Sequence, residues 1–337
     1  MSEVKNNDFL NNRTDVVLSS RVRLSRNIDS VPFPVRLNVI EKNEINYRIV
    51  KIAKEKELPL KAIDMSSLYP YEVISLAERH LISPEFASSC EGRVLLLSAD
   101  EKTSVMLCER DHIRIQTMCD GPGLEKAFTV ASGYERFFAK YIEYAFDPKL
   151  GYLNQNPKDI GTGMRASVLM HLPALSRNGT MARFSATAGK LGISIRGSYG
   201  DAASVKGDLF RISNTVTMGI SEEEAIDNLK TMVLQIATKE RDAAEEFVKD
   251  ISVKDKINRC AGLVKNAVLL TADEMTELLS WIRLGALYGI VDADTDLIGK
   301  MFVSMQSATI NVLAKQKLPD EVKDEIRART VKQIFPE

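Results

Sequence analysis

The sequence is poor in the residues that build disulfide frameworks and metal centres. Its 337 residues include only 4 cysteines, 3 histidines, 18 glycines and 11 prolines. The cysteines show no C-x-x-C spacing and the histidines no H-E-x-x-H arrangement, which argues against a structural zinc site and favours buried free thiols. The low glycine and proline content excludes collagen-like and low-complexity chains.

The sequence also lacks an excess of one charge and any long apolar run. Its 45 basic side chains almost balance 46 acidic ones, so no global field attracts nucleic acid or an anionic membrane. No 18 uncharged apolar residues follow one another, and the start, MSEVKNNDFLNNRTDVV, has no basic stretch before an apolar one. These features predict a soluble, cytoplasmic protein that binds neither nucleic acid nor membrane.

What the sequence does contain is a change of pattern near residue 220. Strand-like segments alternate with helical ones up to about residue 216, for example 93–98 and 104–108, which predict an antiparallel hairpin. From Ser221 onward only helical patterns occur, beginning with a capping box. We therefore predict a flexible tail over 1–15, a mixed domain over 16–252 and a helical domain over 253–337.

Arginines on the strand-like segments are the clearest chemical signal. No G-x-x-x-x-G-K-[ST] loop is present, so a standard phosphate loop is excluded. A cluster of guanidinium groups requires carboxylates or a polyanion such as a triphosphate, because arginine stays charged in proteins. Taken singly, each arginine is more simply a solvated surface residue. The strand-borne arginines are Arg21, Arg23, Arg114, Arg165 and Arg196.

Several motifs in fixed order resemble those of the phosphagen (guanidino) kinases, and most closely the bacterial protein-arginine kinase branch. They are SSRVRLSRN, ERHLISP, E-x-D-H-I-R-I-Q, F-D-x-x-L-G-Y-L, G-T-G-M-R-A-S-V, R-G-x-Y-G and F-R-I-S-N. The resemblance covers residues 16 to about 250. It implies an α+β fold in which helices flank an antiparallel sheet, the guanidino-kinase catalytic fold, followed by the C-terminal helical domain.

The resemblance also implies ATP and Mg²⁺ as cofactors, with the nucleotide held by arginines. The nucleotide contacts then fall on Ser19, Ser20, Arg21, Val22, Arg23, His80, Arg114, Arg165, Ala166, Ser167, Val168, Leu169, Arg196, Gly197, Ser198, Tyr199, Gly200 and Asp201.

The sequence departs from the family where the acceptor guanidinium is handled. The family uses two glutamates and a cysteine there, because the nucleophilic nitrogen belongs to a cation that must be held and deprotonated. The second glutamate of the family's N-E-E-D-H motif is Arg110 here, the other glutamate is Asp201, and the cysteine is Asn156. Nucleotide binding is therefore better supported than catalysis.

Two further expectations concern this motif. Strand alternation over 108–116 predicts that Glu109 faces away from Arg110 and Arg114, so that Glu109 does not replace the missing glutamate unless a bulge intervenes. We also expect Arg110 to pair with Asp201 and so to imitate a bound substrate.

A second match lies near the C-terminus. The segment KDEIRA, 323–328, is similar to the R-D-x-x-R-A sequence that lines a phosphoarginine-sensing pocket in protein-arginine kinases. An ordinary charged helix face is the alternative. The residues implied in phosphoarginine binding are Lys323, Asp324, Arg327 and Ala328.

The resemblance implies a kinase that transfers the ATP γ-phosphate to protein arginines and so marks proteins for Clp-type proteolysis in the stress response. Its implied partners are substrate proteins with exposed arginines, a zinc-binding activator protein, a stress-gene repressor, a Clp protease and a second copy in a homodimer. The alternative is a catalytically impaired pseudokinase that binds nucleotide or phosphoarginine. A free-arginine kinase is disfavoured, since the N-terminal helical domain of creatine and arginine kinases is not found in the sequence.

Overall fold

A computed structural model describes residues 14–198 and 205–336 of the chain. Its strands are β1 (Val17–Arg26), β2 (Leu60–Asp64), β3 (Val94–Ser98), β4 (Thr103–Leu107), β5 (Ile113–Asp120), β6 (Phe146–Asp147), β7 (Gly151–Tyr152), β8 (Met164–His171), β9 (Ile193–Gly197) and β10 (Leu209–Asn214).

Helices precede, separate and follow these strands. They are α1 (Val39–Glu55), α2 (Pro70–Glu78), α3 (Pro84–Ala87), α4 (Leu124–Ala139), α5 (Pro173–Arg177), α6 (Met181–Lys190), α7 (Glu222–Phe247), α8 (Ile251–Asn266), α9 (Ala272–Leu287), α10 (Thr295–Ser304), α11 (Ser307–Ala314) and α12 (Asp320–Val331). No single helix among them is long and apolar enough to cross a membrane, although the bent pair α10 and α11 reaches the required length and composition together.

Eight strands form one sheet in the order β2-β3-β4-β5-β1-β8-β10-β9. Each neighbouring pair in it is antiparallel. The predicted hairpin is confirmed, since β3 and β4 pair in register. The predicted antiparallel α+β fold is confirmed as well.

The central strands have one apolar and one polar face because their sequences alternate. On β1, Val22 and Leu24 are fully buried in a core that α1, α4 and α7 cover. Arg21 and Arg23 alternate with them and therefore lie on the opposite face. These helices therefore cover the apolar face of the sheet, and the cationic face is turned away from them.

The C-terminal helices pack around a second core of their own. The Ser221 hydroxyl accepts a hydrogen bond from the Glu224 N–H, which begins α7 at the predicted capping box. No strand follows residue 220 among the described residues, as predicted, and the last long helix begins after Pro319. The domain boundary at 252/253 stays a prediction.

Two cores border the cationic face of the sheet. Met106 on β4 lies opposite Arg114 on β5 and belongs to a third core beneath α2 and α3. At the other end, Leu169 on β8 lies opposite Arg211 and belongs to the core of the C-terminal helices. The arginines therefore occupy the polar part of the sheet between these two cores, which we call the arginine face.

Candidate active site

The register of the sheet brings four of the predicted arginines together. Arg23 on β1 lies directly opposite Arg165 on β8, and Arg114 on β5 lies opposite Ser25, two residues along β1. Arg21 lies two residues before Arg23 and shares its face. The side chains of residues directly opposite one another in a sheet stand on the same side of it, so these guanidinium groups line one surface.

Arg196 joins this surface together with an arginine that the sequence analysis did not single out. Arg211 on β10 lies opposite Arg196 on β9 and opposite Leu169 on β8. Its Nη2 lies 3.4 Å from the Ser198 hydroxyl. Alternation within F-R-I-S-N is the signal that was available, because it places Arg211 on the face opposite to Phe210 and Ile212.

The arginines repel one another. Burial lowers the pKa of Arg21 well below its ordinary value, and the charges of Arg211, Arg23 and Arg114 lower it further. Burial, Arg114 and Arg211 likewise lower the pKa of Arg23 to about 10. Such a concentration of cations favours a polyanionic ligand, which removes the repulsion on binding.

His80 lies beside this cluster in a left-handed backbone conformation, with φ at 59°. Its carbonyl accepts a hydrogen bond of 2.9 Å from the Gln116 side chain, which is on the arginine face of β5. Burial lowers the pKa of His80 well below its usual value, and Arg211 and Arg21 lower it further. His80 therefore offers a neutral ring to a ligand at neutral pH.

The other predicted nucleotide contacts do not all share this surface. The side chains of Val22, Ala166 and Val168 lie in the apolar core on the reverse face, so only their backbone is available to a ligand. Ser20 accepts a hydrogen bond from Gly123 N–H and donates one to the Gly121 carbonyl. Ser167 lies directly opposite Arg21 in the sheet, and Leu169 packs into the C-terminal core. Ser19, Gly197 and Ser198 are half-buried.

Tyr199, Gly200 and Asp201 lie outside the described residues, so the predicted acceptor carboxylate of Asp201 stays a prediction.

Glu109 is where the sequence prediction was wrong. Cys108 takes a left-handed conformation, with φ at 57°, and β5 begins only at Ile113. Strand alternation therefore does not apply across residues 108–112. Glu109 turns toward the arginines, its Oε2 lies 2.6 Å from Arg114 Nη1, and its side chain is 1% exposed.

Arg110 points elsewhere. Its Nη2 lies 3.3 Å from Oε1 of Glu85, which belongs to the first turn of α3. Both side chains are about half exposed, at 44% for Arg110 and 51% for Glu85. The arginine at the family's catalytic-glutamate position thus already binds a carboxylate.

Asn156, at the position of the family's cysteine, supports one of the arginines indirectly. Its amide donates a hydrogen bond of 3.0 Å to Asp159 Oδ2, and Asp159 Oδ1 accepts one of 2.7 Å from Arg165 Nε. Asn156 therefore helps to orient Arg165 through Asp159. The four cysteines of the chain are free, and Cys108, which precedes Glu109, is buried.

The predicted phosphoarginine segment lies on α12. Arg327 is fully buried and donates hydrogen bonds to the Met305 and Leu270 carbonyls, at 2.8 and 2.6 Å, and to Asp324 at 2.5 Å. Lys323 Nζ lies 2.5 Å from Asp320. Ala328 is buried. Phosphoarginine binding by this segment stays a prediction, in which Arg327 first has to be released from these carbonyls.

Comparison with known proteins agrees with this geometry. Residues 42–243 match the family described as ATP:guanido phosphotransferase, C-terminal catalytic domain, and residues 250–337 match the protein-arginine kinase McsB C-terminal domain. The protein-arginine kinase of Halothermothrix orenii is 37% identical over 322 residues, which cover 94% of this chain and 92% of that protein. That of Clostridium tetani is 36% identical, with 95% of each chain covered.

Solved structures with the same fold include lombricine kinase, with a TM-score of 0.60 and 24% identity over 71% of this chain and 70% of that one. The duplicated taurocyamine kinase of Schistosoma mansoni has a TM-score of 0.59 and 24% identity over 66% of this chain and 32% of that one. The family match over the arginine-lined sheet and the nearly full-length relatives lead to one conclusion. This chain belongs to the ATP:guanido phosphotransferase family, in its protein-arginine kinase branch.

Proposed function

We propose that this chain is a protein-arginine kinase, which transfers the γ-phosphate of ATP to arginine side chains of proteins. The observation that carries the proposal is the arginine-lined face of the sheet, in a chain whose nearly full-length relatives bear that name. A guanidinium forms two parallel hydrogen bonds to a phosphate, so a row of arginines suits a triphosphate without a phosphate loop.

The buried Glu109 fits a phosphate-bound magnesium ion. Magnesium in phosphotransferases keeps several waters and takes one or two carboxylates in addition to the phosphates. Glu109 lies beside Arg114, and its Oε1 has no hydrogen-bond partner within residues 14–198 and 205–336. When bound, the ion neutralises charge on the phosphate oxygens.

Phosphoryl transfer at the arginine face depends on alignment and electrostatics. Arg21, Arg23, Arg114 and Arg165 fix the phosphates from the sheet, and Asp159 fixes Arg165. Charge that spreads over the transferring group meets preorganised donors, which lowers the barrier without a covalent intermediate. The acceptor arginine approaches the arginine face from solvent.

The finer biology follows the family resemblance and belongs to the same proposal. It places the chain in the cytoplasm, with a zinc-binding activator protein, a stress-gene repressor and a Clp-type protease as partners. The substrates are proteins with exposed arginines, which the protease then degrades.

The test is transfer of label from γ-labelled ATP to an unfolded arginine-rich protein. We expect label that is lost on mild acid treatment, because the phosphorus–nitrogen bond is acid-labile. The matched control is the same acceptor with its arginines replaced by lysine, which stays unlabelled. Binding of ATP without any label on the arginine-rich acceptor would instead support the pseudokinase alternative.

A further inference from the structure

The pair formed by Arg110 and Glu85 lies next to the arginine face of the sheet, because Arg110 directly follows Glu109, whose carboxylate binds Arg114. The two side chains meet at 3.3 Å and each is about half exposed. The family resemblance puts the carboxylate that receives the acceptor guanidinium at position 110. In this chain a guanidinium occupies that position and binds the carboxylate of Glu85 on α3.

The backbone that carries Glu85 is fixed. Ser83 caps α3 by accepting a hydrogen bond of 3.0 Å from Phe86 N–H. Arg93 Nη1 donates to the Glu85 carbonyl at 2.6 Å and to the Phe86 carbonyl at 2.7 Å. Phe86 is fully buried in the core beneath α2 and α3. The carboxylate of Glu85 therefore projects into solvent from a rigid support, as a binding group requires.

Glu85 also lies within electrostatic reach of the phosphate-binding arginines. Burial and the charges of Arg114 and Arg211 lower the pKa of Arg23, whereas the carboxylates of Glu109 and Glu85 raise it. Glu109 is already bound to Arg114 through Oε2 and, with 1% of its side chain exposed, has only Oε1 left, which would hold the magnesium ion. Of these two carboxylates only Glu85 can be reached by an arginine that arrives from solvent on another protein.

We propose that Glu85 binds the guanidinium of the substrate arginine, and that Arg110 occupies this carboxylate until the substrate displaces it. The inference rests on the proposed kinase function. In the reaction, a guanidinium nitrogen forms a bond to the γ-phosphorus, and the bond from that phosphorus to the β–γ bridging oxygen breaks. ADP leaves with the electron pair, and the proton lost by the guanidinium passes to Glu85 and then to solvent.

The first test compares Glu85→Gln with wild type. We expect kcat/KM for an arginine-bearing unfolded protein to fall at least tenfold, with a higher KM for this acceptor, while the Kd for ATP changes less than twofold. The matched control is Glu125→Gln, which removes an equally exposed carboxylate, one paired with Lys230 and located on α4 at the reverse face of the sheet. This control should leave kcat/KM unchanged.

The second test concerns Arg110, which occupies the Glu85 carboxylate before the substrate binds. Arg110→Ala should lower the acceptor KM at least threefold, because the competing guanidinium is gone. Glu85→Arg alone should abolish transfer, and Glu85→Arg combined with Arg110→Glu should restore at least a tenth of wild-type kcat/KM, since the carboxylate returns on the other side of the pair.

The outcomes separate this inference from the proposed function. If wild type phosphorylates arginine and Glu85→Gln does so equally well, Glu85 is not the acceptor carboxylate and the kinase function stands. If wild type binds ATP but phosphorylates no arginine, both statements are overturned. An active swapped variant beside an inactive Glu85→Arg variant supports both.

Discussion

Single side chains on the arginine face show a clear imbalance of charge. Six arginines line one face of the sheet, namely Arg21, Arg23, Arg114, Arg165, Arg196 and Arg211. Two like charges about 6 Å apart repel by roughly 3 kcal/mol at an effective dielectric constant near 20. Glu109 and Asp159 offset part of this repulsion through Arg114 and Arg165. The rest is available to stabilise a bound triphosphate.

ATP affinity should therefore depend steeply on this cluster. We predict that Arg114→Ala combined with Arg165→Ala lowers ATP affinity at least a hundredfold, because two phosphate donors are removed together. Isothermal titration calorimetry measures this directly. The exposed Arg329→Ala on α12 is the control and should bind ATP like wild type. An unchanged ATP Kd in the double variant would show that the arginine face does not hold the nucleotide.

Arg110 should limit the rate of transfer. We predict that Arg110→Glu raises arginine phosphorylation at least tenfold, since it removes the guanidinium that competes for Glu85 and adds a second carboxylate. A tenfold change corresponds to about 1.4 kcal/mol of barrier. Initial rates at saturating ATP measure it. A variant that folds and binds ATP but is no faster than wild type would show that Arg110 is not limiting.

Side chains of the candidate site could be predicted from the sequence where the alternation along a strand is regular. The five strand-borne arginines were predicted because alternation holds along β1, β5, β8 and β9. Glu109 was assigned to the wrong face because the left-handed Cys108 interrupts alternation, and sequence patterns carry no signal for this turn. The contact between Arg110 and Glu85 joins residues 25 positions apart. Such a contact follows only from the packing of α3 beside the sheet.

The elements of the C-terminal region are joined by buried polar side chains. Arg327 on α12 donates to the Met305 carbonyl at the end of α10 and to the Ser307 hydroxyl at the start of α11. It also donates to the Leu270 carbonyl before α9. One guanidinium thus satisfies acceptors from three neighbouring elements, which its planar set of five donors allows.

Replacement of Arg327 should therefore lower the stability of the fold, whatever its effect on ligand binding. We predict that Arg327→Ala lowers the free energy of unfolding by about 3 kcal/mol, because several buried acceptors lose their donor. Urea unfolding measures this, with the exposed Arg329→Ala on the same helix as a control that should change by less than about 0.5 kcal/mol. Equal midpoints for wild type and Arg327→Ala would contradict the structural role.

Phosphoarginine binding is better tested with Lys323→Ala. Lys323 is buried along its stem and its Nζ pairs with the exposed Asp320, so its removal should cost less stability than that of Arg327, which binds several buried acceptors. If the segment senses phosphoarginine, this variant should bind phosphoarginine at least fivefold more weakly than wild type while its urea midpoint falls less than that of Arg327→Ala. Equal affinities would favour an ordinary charged helix face.

Elements were predictable from sequence where caps and periodicity agree. The capping box of Ser221 and Glu224 begins α7, and Thr271 caps α9 through the Glu274 N–H. A serine or threonine followed three residues later by glutamate predicts both of these helix starts. The helical pattern of the sequence over 124–146 predicts one helix there, whereas α4 ends at Ala139 and the chain continues in turns and the short strand β6. Apolar residues beyond 139 maintain a helical pattern although tertiary contacts decide their conformation.

At the scale of the whole molecule, the C-terminal helices are bound to the catalytic sheet by a buried polar chain. Arg283 Nη1 lies 2.9 Å from His171 Nδ1, and His171 Nε2 lies 2.9 Å from the Ser280 hydroxyl. Because arginine only donates, Nδ1 accepts and Nε2 carries the proton. Ser280 in turn donates to Asp208 at 2.7 Å. Each hydrogen bond therefore has a fixed direction, which requires a neutral His171.

These hydrogen bonds around a neutral His171 should make the free energy of unfolding depend on pH. Burial, then Arg283 and Arg177, lower the pKa of His171 well below its usual 6.5. Below pH 6.5 the unfolded chain takes up a proton that the folded one refuses, so stability falls as the pH falls. We predict that His171 contributes a loss of about 1.4 kcal/mol between pH 7.5 and 5.5.

Urea unfolding of wild type and His171→Asn at both pH values isolates this contribution. Glu240, whose burial raises its pKa to about 8, works in the opposite direction but is common to both proteins. The fall in stability on acidification should be about 1.4 kcal/mol smaller in the variant. Identical pH dependence in the two proteins would contradict a neutral, buried His171.

The overall architecture could be predicted because two independent signals agreed. The shift from strand to helix patterns near residue 220 indicated the helical region, and the ordered motifs indicated the sheet. The packing of that region against α2 was not predictable. Glu78 accepts hydrogen bonds from the Ala308 and Thr309 N–H groups at the start of α11, more than 200 positions away. No local pattern encodes such a contact.

The most direct test of the central claim is phosphorus NMR of the reaction itself. Wild type, MgATP and an unfolded protein with a single arginine are mixed, beside the same acceptor with lysine at that position. We predict one phosphoramidate resonance that grows in step with ADP, only with the arginine acceptor. ATP that is bound but not consumed, or that yields only inorganic phosphate, would contradict transfer to arginine.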